Sequence, residues 1–585
     1  METEKDPAKL LAGHVVAAIW AINRRELEPG AAQIRPVNKK QAAESGADFQ
    51  SNVAFSLTSS EGEATALAEK IIRYLDLAGI ATASLSGAGF INFTLQNQWL
   101  ETALKNQLSD ERLGVPAAAK PDLIVVDYSS PNVAKEMHVG HLRSTIIGDA
   151  LVRMLTFAGH TVIRRNHLGD WGTPFGMLLE YLVETGQTRP ERLAITDLNS
   201  FYQTARQRFE TNADFARRAR ARVVALQAGE VKTLALWRGL VTESQKHFAQ
   251  VYERLGVLLD ENDTYGESFY NDRLPATVAE LTRRGLTATS QGAICAFPPG
   301  FTNREGGPLP LILQKSDGGY GYATTDLAAI TYWMRDRRAN ELTYVVGAPQ
   351  RQHFEMVLAV ARAAGWLTAN QAVYVEFGSV LGLDGKMLRT RSGGDSVKLI
   401  ELLAEAETQA AQVITQHSRG VNDPSLARII GVGALKYADL SNDRTHDYTF
   451  SWERALAFEG NTAVYLQYAK ARIKSLLARA EKDLGLNNLF GSEFIISQPA
   501  ERELALKLLS FASVFDKLIA TYRPHHLCTY LYELATSFSI FYEQCPVLNV
   551  TDKKVQRSRL ALADLTAYTL TLGLSLLGIE SPDRL

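Results

Sequence analysis

The most informative segment of the chain reads Leu123-Ile-Val-Val-Asp-Tyr-Ser-Ser-Pro-Asn-Val-Ala-Lys-Glu-Met-His-Val-Gly-His-Leu-Arg-Ser144. Its first four residues form a short apolar run, which is typical of a strand buried on both faces of a parallel sheet. A polar loop follows, and apolar spacing then predicts a helix from about His141 to Phe157. Gly159 ends this helix, and Thr161–Arg165 predicts the next strand. Strand, helix and strand at this spacing predict a βαβ unit.

A second βαβ unit is predicted much later in the chain. Two apolar runs, Leu342–Val346 and Ala372–Phe377, flank a helix predicted over Phe354–Ala364. The two units together predict a parallel-sheet, Rossmann-like nucleotide-binding core within residues 116–398. Between them lies a helix-rich segment that is too long for a loop, and we interpret it as an insertion at about 180–290.

The two ends of the chain predict further domains, so we expect an α/β multidomain protein. Residues 1–115 have the size of a domain and mix helical with alternating patterns, which predicts a small α+β domain. Residues 399–585 have helical periodicity, with a bundle rich in Leu and Ala from about 455. The elements expected in these ends are helices over Leu10–Leu27 and Glu63–Leu77, strands over 52–57 and Gly89–Leu95, a linker over Pro116–Pro121, and helix interiors over Leu504–Ile519 and Leu560–Leu577.

The composition excludes several classes of protein. Among 585 residues, 46% are hydrophobic and 22% charged, which excludes a mostly disordered chain, a collagen-like repeat and a disulfide scaffold. The net charge is −2, so any contact with nucleic acid must come from local patches. No signal-peptide core is present, and the apolar runs are shorter than the roughly 20 residues that span a bilayer. We expect a cytoplasmic protein that does not enter a membrane. The three cysteines form no CxxC pair, so no structural metal is expected.

The loop before the first predicted helix carries residues suited to a phosphate group. A helix N-terminus presents unpaired backbone N–H groups and a partial positive charge, and both favour an anion. His138 and His141 add donors there, and Lys135 supplies a mobile cation. Gly140 leaves room for a ligand to approach the backbone. Read alone, His-x-Gly-His equally fits a polar loop that caps a helix.

The whole string from Asp127 to Ser144 resembles the HIGH region of class I aminoacyl-tRNA synthetases, in the form found in arginyl-tRNA synthetases. The resemblance rests on the pattern Ser-Ser-Pro-Asn-x-Ala-Lys-x-x-His-x-Gly-His-Leu-Arg-Ser, and it extends over most of the chain. The other segments that look like this family are Asn92-Phe93, Asn166–Thr173, Phe209–Trp237, Val251–Val257, Asp317–Asp326, Tyr344–His353, Glu459–Lys474 and Pro524–Pro546.

The resemblance implies a two-step reaction. ATP and L-arginine give arginyl-adenylate and pyrophosphate, and the arginine then passes to the 3' end of its tRNA with release of AMP. Mg²⁺ would accompany ATP, held by phosphates and water rather than by a protein cage. The resemblance also implies that exchange between ATP and pyrophosphate requires the tRNA. The sequence does not give the oligomeric state, and a monomer is the expectation.

The resemblance also assigns site residues. The expected catalytic residues are Lys135, His138, His141 and Arg391. The expected ATP-binding residues are His138, Gly140, His141, His353, Lys386, Arg389 and Arg391. The expected arginine-binding residues are Asp127, Ser129, Asn132, His138, Tyr322, Asp326 and Gln350.

The chemistry of arginine fits two of these assignments. A guanidinium is planar and always charged, so its site needs carboxylates and other acceptors. Tyr322 and Asp326 are four residues apart at a helix start and share a face, and the resemblance implies that Asp326 engages the guanidinium. Asp127, where related enzymes often have Glu, is expected to hold the α-amino group with Asn132. Read alone, Asp326 equally fits a carboxylate that offsets a helix dipole.

The second signature of class I synthetases departs from its usual form. In place of the mobile KMSKS loop the chain has Gly385-Lys-Met-Leu-Arg-Thr-Arg-Ser-Gly-Gly394. Glycines at its ends suit a loop that closes on triphosphate. The sequence leaves open whether Lys386, Arg389 or Arg391 faces the phosphates. Read alone, the segment is an ordinary basic surface loop.

Two regions are expected to contact tRNA, in addition to the N-terminal domain. Residues 201–240 carry a local excess of cations, with Arg217, Arg218, Arg220 and Arg222 at its centre. In the bundle, Tyr465, Tyr468, Lys470 and Lys474 mix rings with cations, which suits unstacked anticodon bases. Alternatively, the arginines form a solvated helix face and one of the tyrosines belongs to the core.

Two other functions fit parts of the sequence. One is a class I nucleotidyl transferase that adenylates another acid without tRNA, and the helical C-terminal region argues against it. The other is a non-catalytic tRNA-binding paralogue, and the intact His138-Val-Gly-His141 argues against it. Measured adenylate formation would separate these possibilities.

Overall fold

Helices and antiparallel strands alternate over the N-terminal segment in the computed structural model. The first helix begins at Pro7 rather than Leu10 because the Asp6 carboxylate caps it, accepting from the backbone N–H of Ala8 at 2.9 Å. The strand predicted over 52–57 is wrong. Val53 and Ala54 are consecutive and both buried, which suits a helix and not a strand with alternating faces. The elements are α1 (Pro7–Asn23), β1 (Ile34–Pro36), α2 (Lys39–Ser45), β2 (Phe49–Ser51), α3 (Val53–Leu57), α4 (Glu61–Tyr74), β3 (Ala81–Ser86), β4 (Phe90–Leu95) and α5 (Asn97–Leu108), with strand order β1-β2-β4-β3.

The first predicted βαβ unit is confirmed. It consists of β5 (Leu123–Asp127), α6 (Val139–Phe157) and β6 (Thr161–Arg165), and β5 pairs with β6 in parallel. The helix begins two residues before His141 because His138 caps it. Most of α6 is buried on every side, including Arg143 and Asp149, so only its N-terminal turn is open to a ligand.

The insertion between the two βαβ units is not entirely helical. A small antiparallel sheet follows its helices, and its three- and four-residue strands are too short to give a sequence signal. The elements are α7 (Thr173–Glu184), α8 (Leu198–Thr211), α9 (Ala213–Gln227), α10 (Val231–Leu255), α11 (Leu274–Arg283), β7 (Ala288–Ser290), β8 (Ala293–Ala296), β9 (Leu311–Gln314) and α12 (Tyr322–Thr331).

The second βαβ unit is confirmed and completes the parallel sheet. It consists of β10 (Glu341–Gly347), α13 (Arg351–Ala363) and β11 (Ala372–Phe377). The strand order is β11-β10-β5-β6, with Tyr344 of β10 opposite Asp127 of β5. From β5 the chain continues to β6 at one edge of the sheet, and from β10 it continues to β11 at the other edge. A crevice therefore opens at their carboxyl ends, which is where open α/β sheets bind ligands.

Helices dominate the remainder of the chain. The helix interior predicted over Leu504–Ile519 is broken at Ser510 into two helices. The elements are β12 (Val380–Leu381), α14 (Leu399–His417), α15 (Pro424–Leu440), β13 (Tyr448–Thr449), α16 (Trp452–Ala455), α17 (Ala463–Leu484), α18 (Pro499–Leu509), α19 (Phe511–Thr521), α20 (His525–Gln544) and α21 (Lys553–Leu576).

The contacts within the chain define two compact units. The sheet unit contains Ala117–Ala457 and Leu576–Glu580, and the terminal unit contains Met1–Pro116, Phe458–Ser575 and Ser581–Leu585. The structure describes residues 6–190, 193, 195, 197–388, 397–417, 423–486, 489 and 491–585. Across these ranges no helix combines the length and the hydropathy needed to cross a membrane.

Candidate active site

The loop after β5 is held in a strained shape by the insertion. Ser129, Ser130 and Ala134 have φ values of 69°, 47° and 62°, a region that non-glycine residues adopt only where their surroundings enforce it. Two residues of α10 provide that support. Tyr252 Oη lies 2.8 Å from Ser129 Oγ, and Ser244 Oγ accepts from the Ala134 backbone N–H at 3.0 Å. The buried Ser129 hydroxyl is thus bonded inside the protein.

The two histidines cap α6 reciprocally. The Gly140 backbone N–H donates to His138 Nδ1 at 3.0 Å, and the His138 backbone N–H donates to His141 Nδ1 at 3.1 Å. Because each Nδ1 accepts, each neutral ring carries its proton on Nε2. Burial lowers the pKa of both rings, with the Lys135 charge acting in the same direction on His138, and the pKa of His141 falls to about 3. Both imidazoles are therefore neutral donors near pH 7.

Gly140 is required for this arrangement. A Cβ at that position would lie 2.8 Å from His138 Cε1, so a side chain there would displace the capping ring. The Cβ position of Gly140 is thus taken up by the protein's own imidazole, while the Gly140 backbone itself is exposed. Nearby, Lys135 Nζ lies 4.4 Å from the centre of the Tyr202 ring on α8, and Asn132 is exposed.

Asp127 belongs to a buried chain of polar groups. Its Oδ2 lies 2.9 Å from Arg165 Nη1, and its Oδ1 accepts from Ser130 Oγ at 2.9 Å. Arg165 Nη2 continues to His167 Nδ1 at 2.6 Å. Burial and then the Arg165 charge lower the pKa of His167 to about 4, so this ring is neutral. Asp127 already has a cationic partner, and an α-amino group there would be the second.

Asp326, which was expected to bind arginine, pairs with His353, which was expected to bind ATP. The Nε2 and Oδ2 atoms are 2.7 Å apart, and the Asp326 side chain is only 14% exposed. Burial opposes the charge of each group, but their hydrogen bond and mutual attraction prevail, lowering the pKa of Asp326 and raising that of His353. Asp326 is the fifth residue of α12, beyond its first turn, so a helix-start role does not fit.

Glu267 is a titratable group that the sequence analysis did not identify. Burial, and then the Asp170 and Asp326 carboxylates, raise its pKa to about 8. Burial and then the Glu267 charge also raise the pKa of Tyr322. No cation among the described residues forms an ion pair with Glu267. The sequence around Glu267 gives no sign of a functional role, because an acid within a helix-rich insertion resembles a surface residue.

The other expected site residues are exposed or lie outside the described ranges. Tyr322 is 69% exposed, and Gln350, which directly precedes α13, is also exposed. Lys386 is exposed on a hairpin in which the Gly382 backbone N–H donates to the Lys386 carbonyl at 2.8 Å. Arg389 and Arg391 lie outside the residues that the structure describes.

The four arginines expected at tRNA have different surroundings on α9. Arg218 Nε lies 2.7 Å from Glu180 Oε1, and Arg222 Nη2 lies 3.0 Å from Glu180 Oε2. Arg217 is largely exposed and lies 3.2 Å from Asp214, and Arg220 packs 5.4 Å from the Phe209 ring centre. The local excess of cations is therefore reduced by partners from α7, which the count over 201–240 left out.

The bundle residues expected at tRNA also differ from one another. Lys470 is buried, donates to the Ser581 carbonyl at 2.8 Å and pairs with Asp583. Tyr465 packs against Tyr532, and Lys474 Nζ lies 3.8 Å from Asp564. Tyr468 is 40% exposed and lies 5.8 Å from the Arg472 guanidinium, which borders a cleft of about 160 Å³.

Metal ligands are not clustered in the part of the chain that the structure describes. No group of three or more His, Cys, Asp or Glu side chains is arranged to hold an ion there. The three cysteines are buried thiols that form no disulfide with one another.

Comparison with known proteins gives consistent matches along the chain. The family model described as "tRNA synthetases class I (R), catalytic domain" matches residues 103–452. The model "DALR anticodon binding domain" matches residues 466–585, and "Arginyl tRNA synthetase N terminal domain" matches residues 11–95.

Full-length relatives and solved structures agree with these matches. The chain is 47% identical to the arginine–tRNA ligase of Thermobifida fusca, over 99% of this chain and 100% of that protein. It is 46% identical to that of Alcanivorax borkumensis, over 94% and 95%. The crystal structure of arginyl-tRNA synthetase from Plasmodium falciparum is similar with a TM-score of 0.83 and 30% identity over 99% of both chains. The Thermus thermophilus enzyme, at 23% identity and TM-score 0.80, shares the fold over 98% of this chain and 99% of that chain.

Proposed function

The chain belongs to the arginyl-tRNA synthetases, a family of class I aminoacyl-tRNA synthetases, and from this membership we propose how its own residues carry out the reaction. Its activity is that of an arginine–tRNA ligase, which uses ATP to activate L-arginine and joins the arginine to tRNA. The DALR domain argues against an adenylating enzyme that works without tRNA.

One observation carries the proposal for the activation step. Two neutral imidazoles, His138 and His141, keep Nε2–H as their free donor at the one open turn of α6. The reaction builds charge on phosphoryl oxygens, and preorganised donors aimed at such charge provide a large share of catalysis. We assign the ATP phosphates to these donors and to Gly140, with His353 nearer the amino acid.

Cations complete the phosphate site. Lys135 lies in the loop just before His138, and its contact with Tyr202 holds the ammonium group at the site without neutralising it. Lys386, Arg389 and Arg391 are assigned to close over the triphosphate, and which of them acts stays open. Mg²⁺ would neutralise phosphate charge, and we expect phosphates and water to hold it, since Mg²⁺ usually keeps several of its waters.

Arginine is assigned to the pocket between α12 and the loop after β5. Asp326 and Glu267 face its guanidinium, with Tyr322 and Gln350 closing the rim. Asp127, Asn132 and Ser129 form the α-amino side, where the exposed Asn132 amide is free to contact the substrate and the buried Ser129 fixes the loop. A cation beside Glu267 would stabilise its charged form and so oppose the effects that raise its pKa.

The tRNA is assigned to three surfaces, namely the N-terminal domain, the exposed arginines of α9 and the bundle. On the bundle, Tyr468 and Arg472 offer an exposed ring and a cation beside a cleft, which suits stacking of an unpaired base. We further propose domains at 1–115, 116–398 and 399–585, a monomeric enzyme and a cytoplasmic location.

The test is aminoacylation of total tRNA with each of twenty labelled amino acids. Only arginine should be attached, and the product should require ATP. Attachment of another amino acid, or adenylate formation without transfer, would overturn the proposal.

A further inference from the structure

A buried ion pair joins α6 to the end of α15. Arg143 Nε lies 3.0 Å from Asp439 Oδ2, and both side chains are 1% exposed. Arg143 is two residues beyond His141 on the helix that carries the phosphate donors, and Asp439 is the penultimate residue of α15. The pair therefore fixes the N-terminal half of α6 against a specific point of its neighbour.

The same guanidinium also holds the segment that follows α15. Arg143 Nη1 donates to the His446 carbonyl at 3.1 Å, and the guanidinium carbon lies 5.2 Å from the Tyr448 ring centre. Burial and then the Asp439 carboxylate raise the pKa of Tyr448 well above its ordinary value, which places its hydroxyl beside that acid. Asp439, His446 and Tyr448 thus surround Arg143.

This segment supports the base of the hairpin that carries Lys386. β13, which begins at Tyr448, pairs in parallel with β12, and the Tyr448 backbone N–H donates to the Ser379 carbonyl at 3.1 Å. Gly378 permits the close approach, because a Cβ there would lie 2.7 Å from the His446 carbonyl carbon. β12 then leads directly into the hairpin that carries Lys386.

Where the described chain resumes, Val397 and Leu399 are bound to the residues on either side of His138. The Val139 backbone N–H donates to the Val397 carbonyl at 3.0 Å, and the Leu399 backbone N–H donates to the Met137 carbonyl at 2.8 Å. The hairpin is therefore tied to the start of α6 through Arg143 and the pairing of β12 with β13, and Val397 and Leu399 are tied to it by backbone hydrogen bonds.

Stability alone gives no reason for an ion pair at this place. Burying two charges is costly, and well-packed apolar side chains of similar volume often serve stability as well or better. Arg143 Nη2 has no hydrogen-bond partner among the described residues, so the burial cost is only partly recovered. What the pair offers is a defined geometry between two elements.

We propose that Arg143 and Asp439 are positioning residues for arginine activation, which set the distance between the histidine donors of α6 and the hairpin that carries Lys386. This inference rests on the proposed function, in which those two elements contact the phosphates of ATP together. A small misplacement of such groups can cost about 10²-fold in rate.

The test compares Arg143→Met with the double variant Arg143→Met/Asp439→Leu in the full-length enzyme. The single variant leaves a buried carboxylate without its cation and should lose thermal stability, whereas the double variant removes both charges and should regain it. In both, kcat of tRNA-dependent pyrophosphate exchange per titrated active site should fall about tenfold to a hundredfold. The KM for arginine should change less than twofold.

Two further variants complete the design. Arg143→Lys keeps the charge and should recover part of the lost kcat. Arg153→Met removes another ion pair of α6, between Arg153 and Asp149 at 2.8 Å, and should leave kcat per active site unchanged. Full kcat in the stable double variant would overturn the inference. Unchanged exchange after loss of the His141 donor would instead overturn the proposed function, so the two failures are distinguishable.

Discussion

The start of α6 and the proposed arginine pocket are built in opposite ways. At the start of α6 the interacting groups are three residues apart, and the cap between His138 and His141 forms within one turn. In the arginine pocket, Asp326 meets His353 from a helix 27 residues later, and Glu267 arrives from the insertion. Because its contacts are local, the first site can be predicted from the sequence. The second depends on contacts between segments that are distant in the sequence.

The difference also concerns charge. At α6, burial keeps both imidazoles neutral, so the donors act through hydrogen bonds aimed by the backbone. In the pocket, several carboxylates lie close together, and each one's protonation depends on its neighbours. We therefore expect substitutions at α6 to change rates, and substitutions in the pocket to change arginine binding and its pH dependence.

The largest effect is expected from His141→Asn. The Asn amide oxygen can accept the His138 backbone N–H as Nδ1 does, so the cap is kept while the Nε2–H donor is lost. Removing one preorganised donor costs about 2.7–4 kcal/mol, so the exchange rate should fall about 10²–10³-fold with little change in thermal stability. Pyrophosphate exchange and thermal denaturation check this.

His141→Ala is the matched control at the same position. It removes both the cap and the Nε2–H donor, so stability should fall by about 0.5–2 kcal/mol while the rate falls at least as much as in His141→Asn. A rate near the wild-type value in His141→Asn, with losses of both rate and stability in the variant that lacks the cap, would mean that His141 only caps the helix.

The next effect concerns the pocket, through Asp326→Asn. The amide keeps the shape of the acid but removes its charge and turns an NH₂ towards guanidinium donors. Loss of a buried charged partner costs about 2–5 kcal/mol, so the arginine KM should rise at least tenfold while the KM for ATP hardly changes. Discrimination against citrulline, which is neutral and similar in shape, should fall in parallel.

The same variant has a second readout at His353. Asp326 raises the pKa of this ring, so the substitution should lower it, which NMR titration would detect. A normal arginine KM combined with a lowered His353 pKa would show that Asp326 serves the histidine and not the substrate.

The sequence predicted what depends on neighbours along the chain. Both βαβ units, the bundle and the motif at His138 and His141 are confirmed as elements, because apolar periodicity and capping are local. The strand at 52–57 failed because a short alternating pattern also fits one helical turn or two. The Asp127–Arg165 and Asp326–His353 pairs were missed because their partners come from other segments.

A smaller effect is expected from pH, through Glu267. Its pKa of about 8 in the free protein means that the acid is protonated at pH 6–7, and a bound guanidinium favours the charged form. Arginine binding should therefore release a proton. The arginine KM should fall by at most about tenfold per pH unit as the pH rises towards 8, and should level off above it.

Glu267→Gln is the control for this pH dependence. The Gln side chain cannot titrate. At pH 8 the arginine KM of the variant should therefore be higher than that of the wild-type enzyme, and it should be nearly independent of pH between 6 and 8.5. A wild-type KM that does not change over that range would place the guanidinium away from Glu267.

The smallest effect tests the contrast between local and distant partners on α9. The sequence counts four arginines equally, but Arg218 and Arg222 pair with Glu180 of α7, while Arg217 is exposed and Arg220 packs on an aromatic ring. Arg217→Ala/Arg220→Ala should flatten the slope of log K against log salt for tRNA binding, by about one for each phosphate that the two arginines neutralise. Binding of labelled tRNA between about 50 and 200 mM salt, with arginine binding as the salt-insensitive reference, measures the slope.

Arg218→Ala/Arg222→Ala is the matched pair on the same helix. It should lower thermal stability, because Glu180 would remain partly buried without its cations, and it should leave the slope nearly unchanged. Equal flattening by the two double variants would mean that the Glu180 pairs open to phosphate. In that case the simple count of cations along the sequence would describe this surface better than the pairs do.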